Sequence, residues 1–101
     1  MVDLQRVTHE DFKAYLNHRF VIELEETSPV ELELVSVETR TNAGAADGRR
    51  QAFSLVFRGP QTPALEQSTF AMANDRLGSM GLFLVPIAED ETGRLYEAIF
   101  N

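Results

Sequence analysis

The chain has 101 residues, enough for one domain with one core. Its 16 acidic and 9 basic side chains give a net charge of −7, with Lys13 the one lysine, so nucleic acid and anionic membrane surfaces are not expected partners. It has no cysteine, which excludes disulfides, thiolate metal sites and a Cys nucleophile.

Residues 1–20 carry Asp3, Glu10 and Asp11 and no apolar signal-peptide core. No apolar run approaches the roughly 18 residues of a membrane span. Cytoplasm is the expected compartment.

One helix is predicted, over residues 9–17. Thr8 is a good N-cap and Asp11 sits at the capping-box position. Phe12, Tyr15 and Leu16 share one face, so this short amphipathic helix must dock on something.

From Phe20 the apolar period becomes two. Phe20, Ile22 and Leu24 alternate with Val21, Glu23 and Glu25, and Val30, Leu32 and Leu34 alternate with Glu31 and Glu33. Residues 26–29 read as the hairpin connection. At Val35 and Val37 the apolar phase flips, which predicts a bulge or a strand passing between two faces. Residues 41–50, "TNAGAADGRR", read as a mobile loop.

Alternation resumes through Phe53, Leu55 and Phe57, then more weakly through Phe70 and Met72. Leu82 to Ile87 is apolar on both faces, a pattern that predicts cover on both sides, with the helix a candidate cover. Across the acidic turn "EDETG", the last segment is expected to pair back as an inner strand. It would place Tyr96, Ala98 and Phe100 on one face and Leu95, Glu97 and Ile99 on the other. The predicted fold is mainly β: about six antiparallel strands in a sandwich or partly open barrel, with one short N-terminal helix.

Chemical signatures are sparse. His9 and His18 lie nine residues apart, about 900° of helix at ~100° per residue, and cannot share a metal. "LGSMG" lacks the first glycine of a nucleophile elbow, which leaves Ser79 as a turn residue. No cofactor, metal or catalytic constellation is expected.

Two side-chain groups stand out. Glu23, Glu25, Glu31 and Glu33 form an acidic ribbon. The hairpin registers that match apolar residues set Glu23 against Glu31, or Glu23 against Glu33 with Glu25 against Glu31. Such like-charge stacking calls for relief by solvent, by Arg40 or Arg58, or by a basic partner. Glu97, between Leu95 and Ile99, is the best candidate for a semi-buried carboxylate, with Arg58 and Tyr96 as neighbouring polar groups.

"FSLVFRGP" (53–60), "LEQSTFAMAN" (65–74), "LGSMGLFLVPI" (77–87) and "GRLYEAIFN" (93–101) together resemble an uncharacterised family of small bacterial β-rich proteins, a domain of unknown function. That family is often found near phage-tail-collar-type proteins. The resemblance implies association with a phage-tail-like or secreted particle and brings no catalytic residue with it.

The expected function is a non-enzymatic protein–protein interaction, assembly or accessory domain. Another protein is the expected partner, at a free sheet edge or an apolar patch near Phe70, Met72 and Met80, and a homo-oligomer is compatible with it. One alternative is a small-ligand module or small enzyme with a site between the sheets, using Glu97 with an arginine or Tyr96. Another is an acidic inhibitor or immunity-type protein.

Overall fold

The computed structural model describes residues 6–24, 28–39 and 52–100. They form α1 (His9–Lys13), β1 (Arg19–Ile22), β2 (Val30–Thr39), β3 (Phe53–Gly59), β4 (Ser68–Asn74), β5 (Gly78–Asp90) and β6 (Gly93–Phe100). The fold is mainly β, with six antiparallel strands and one short N-terminal helix, as the alternation predicts. The loop expected at 41–50, Arg40 and Glu25 lie outside the described residues.

The strands make one sheet in the order β1-β2-β3-β6-β5-β4, and β4 returns to β1 to close a ring. Each strand thus has a neighbour on both sides, which satisfies backbone groups that an open sheet would leave free. β6 lies between β3 and β5, the inner position expected for the last segment.

The β1–β2 register differs from both expected ones. Arg19 faces Glu33, Phe20 faces Leu32, Val21 faces Glu31 and Ile22 faces Val30. This pairing keeps apolar residues together inside and sets no glutamate against another. β1 ends at Ile22, so Glu23 lies beyond the paired residues. The like-charge cost of the expected registers supplies the physical reason.

The phase flip in β2 is a bulge: the register with β3 shifts between Leu34 and Ser36. It lets Val37 pack against the core beyond the inward Leu34.

α1 is shorter than predicted. The Asp11 carboxylate accepts a hydrogen bond from the Thr8 N–H at 2.8 Å, and Glu10 and Asp11 sit where the helix dipole favours acids. Residues 14–17 continue as turns. Asn17 takes φ 69°, and its N–H bonds the Leu34 carbonyl at 2.7 Å, tying the helix exit to β2. A five-residue helix cannot persist by propensity alone. Burial of Phe12 holds it: the ring packs 5.9 Å from Phe53 and 5.6 Å from Phe100 between centroids.

Inside the ring, Phe20, Ile22, Leu34, Leu55, Phe57 and Leu84 are fully buried. Met72 and Met80 join them and Phe70 packs against them, so the patch expected around these three is core rather than surface. Two polar groups are built into this interior. Asn74 is buried; its Nδ2 donates to the Arg19 carbonyl at 3.0 Å, and its Oδ1 accepts from the N–H groups of Arg76 and Leu77 at 2.9 Å each. The Tyr96 hydroxyl accepts from the Leu65 N–H at 3.0 Å, anchoring the β3–β4 connection.

Candidate functional site

In β5 and β6, alternation sends every second side chain outward. Met80, Leu82 and Leu84 point into the ring and are buried, while Phe83 and Ile87 stand outside at 50% and 47% exposure. On β6, Tyr96, Ala98 and Phe100 are inside and Ile99 is outside at 48%. These are the large apolar side chains that the described residues leave exposed. The helix expected as their cover goes elsewhere: Phe12 sits against Phe53 and Phe100 at the end of β3 and β6.

The outer face has a defined layout. Glu97 pairs with Val85 on β5 and with Val56 on β3, and Leu95 and Ile99 flank it along β6. The carboxylate therefore stands half-buried among aliphatic side chains. Among the described residues no hydrogen bond or ion pair reaches it. Ile87 is the extra residue of a bulge between Pro86 and Ala88, which bends β5 beyond this patch.

Arg58 is the nearest basic side chain along the register. It pairs with Leu95, diagonal to Glu97 on the outer face. Its aliphatic stem lies over Gly93, and its charge helps to hold the Asp90 carboxyl below its ordinary value. Two hydrogen bonds from Thr92 are the larger causes of that lowering: Oγ1 donates to Asp90 Oδ1 at 2.6 Å and the N–H at 2.8 Å. Arg58 Nε is buried without a hydrogen-bond partner.

The three polar groups suggested by sequence do not converge. Tyr96 points into the ring, whereas Glu97 and Arg58 are on the outside of neighbouring strands. The acidic ribbon is likewise dispersed. Glu31 Oε1 binds Arg19 Nη1 at 3.1 Å, Glu33 stands in register between Arg19 and Arg58, and Glu23 is exposed past the end of β1. Ser79 lies on β5 opposite Ala73 instead of in the turn, which Asp75 to Leu77 make.

An open groove of about 570 Å³ runs beside this row, lined by Arg19, Glu31, Glu33, Arg58 and Thr92 among others. Its walls carry both signs of charge. Among the described residues no three histidine or carboxylate side chains gather as metal ligands.

Residues 7–100 match a family described as a domain of unknown function, DUF6916. The chain belongs to that family. No curated protein and no solved structure matches it. The DUF6916 match covers α1 and all six strands, so the Phe83–Glu97–Ile99 face and the Asn74 brace both fall inside the family domain. No helix among the described residues is long and apolar enough to cross a membrane.

The outer face of β5–β6 is not legible in the sequence as a surface: the run from Leu82 to Ile87 is apolar in both phases, a pattern that equally fits a strand covered on both sides.

Proposed function

We propose that this DUF6916 chain is a non-enzymatic protein–protein interaction domain, an assembly or accessory part of a phage-tail-like particle, working in the bacterial cytoplasm. The observation that supports it is the apolar outer face of β5 and β6, with Phe83, Ile87 and Ile99 each about half exposed. A ring with paired strands has little edge to offer for strand addition, so a sheet face is the surface left for docking. Large apolar side chains left exposed on one sheet face are the kind of feature that marks an interaction site. The tail-like context rests on the resemblance of the strand segments to proteins found near collar-type proteins.

The test mixes the purified chain with purified tail and collar-type proteins and reads complex formation by size exclusion. A complex is expected with the native chain and not with Phe83→Ser. No complex with any of them, or one indifferent to Phe83→Ser, would count against the reading.

The groove beside Arg58 supports a second reading, a small-ligand module. A carboxylate is the ligand group that fits a groove lined by the two arginines Arg19 and Arg58. A rise in melting temperature with small dicarboxylic acids, abolished by Arg58→Met, is the result that would favour it.

A further inference from the structure

Glu97 is the charge set within the apolar part of the outer face of β5–β6, between Phe83 and Leu95, and its position limits what can cover it. Glu97 is not at the rim. Val85 and Val56 stand across from it on both neighbouring strands, and Leu95 and Ile99 flank it on its own. Phe83 extends the apolar surround on β5. Interfaces are depleted of charge at their centre, and a carboxylate buried there without a counter-charge is strongly unfavourable. Among the described residues no counter-charge reaches it: Arg58, the diagonal neighbour, leans over Gly93 toward Asp90. Whatever covers the patch must bring one.

We propose that this face docks a partner protein whose contact surface is apolar and carries one arginine at its centre, paired with Glu97. This rests on the reading of the chain as an interaction domain and deepens it to the chemistry of the partner. Arginine fits better than lysine because the guanidinium is weakly hydrated, binds a carboxylate through two N–H groups and packs flat on aliphatic neighbours. It is also among the residues that most often dominate interface energetics. A second copy of the chain does not fit. A two-fold axis through the patch centre brings two Glu97 carboxylates together, between molecules that each carry −7.

The experiment selects a displayed random-peptide library on the immobilised full chain, and on Glu97→Gln, Glu97→Arg and Phe83→Ser. Circular dichroism melts establish that each variant is folded; Ile99→Ser replaces Phe83→Ser if that variant is not. The native chain is expected to enrich peptides with a basic residue between apolar ones. Affinity for those peptides should fall about tenfold or more in Glu97→Gln, and Glu97→Arg should enrich acidic peptides instead. Enrichment lost in Phe83→Ser but unchanged in Glu97→Gln overturns the arginine assignment and leaves the interaction reading intact. No enrichment that depends on Phe83 overturns both. A concentration-dependent dimer in sedimentation, abolished by Phe83→Ser, overturns the proposal in favour of a second copy.

Discussion

The side-chain amide of Asn74 donates to the Arg19 carbonyl at 3.0 Å, while its oxygen holds the N–H groups of Arg76 and Leu77. One buried residue so joins β1 to the β4–β5 turn, at the seam where Val21–Ala73 and Ile22–Met72 pair in register. Asn74→Ala leaves a carbonyl and two N–H groups without their partner. The expected loss is about 2–3 kcal/mol in urea unfolding. Asn74→Asp keeps the acceptor but not the donor and should fall in between. Seam amides such as Glu23, whose N–H bonds the Ala71 carbonyl, should exchange faster in both.

Tyr96→Phe removes the acceptor of the buried Leu65 N–H while leaving the ring in place. A cost of about 1–2 kcal/mol is expected, seen as a lower melting temperature. An unchanged melting temperature would show that the β3–β4 connection is not anchored there.

Gly93 opens β6 at φ 144°, and a side chain on it would run into the Gly59 carbonyl. Gly93→Ala adds backbone strain to that clash, a destabilisation of about 1–3 kcal/mol or more. Gly81 is a suitable control: a Cβ there meets only Thr69 Cγ2, at 3.7 Å.

Arg19 sits opposite Glu33 and binds Glu31. Arg19→Glu would rebuild the like-charge stacking that the observed register avoids, at about 0.2–1 kcal/mol per pair. Added salt should recover much of the loss, because these groups are exposed and screened. Melting curves at low and high salt measure it, and a loss that salt leaves intact would point to packing instead.

Asp90 gives a pH dependence of known sign. The Thr92 side-chain and backbone bonds, with smaller help from Arg58 and the Gly93 N–H, hold its carboxyl below the ordinary 3.8. The folded state thus binds this proton more weakly than the unfolded one. Its stabilisation is fully present above the ordinary value and disappears as pH falls through the lowered one. The difference in melting temperature between the native chain and Asp90→Asn should hold from neutral pH to about pH 5 and then narrow in acid. A gap as wide in acid as at neutral pH would contradict it.

The alternation of Phe20–Ile22, Val30–Leu34, Phe53–Phe57 and the last segment was enough to read a β domain, because side-chain direction in a strand follows from position alone. The bulge near Val35 was legible for the same reason: only an extra residue lets a strand keep its apolar side inward after the phase flips. The helix start at Thr8 could be read from local hydrogen-bonding groups, but its end could not. Asn17 leaves the helix to bond Leu34, a residue supplied by another strand.

What sequence alone determined is therefore local: which residues extend, which face each side chain takes, and that no cysteine or basic stripe is present. Strand order, the closing pair of β1 with β4, and the register that separates the glutamates were decided by tertiary structure, because each depends on contacts between segments that alternation cannot rank. The same holds for the candidate site. The residues from Leu82 to Ile87 announced two apolar faces, but only the fold decided that Phe12 of α1 packs on Phe53 and Phe100 while Phe83, Ile87 and Ile99 stay exposed among the described residues.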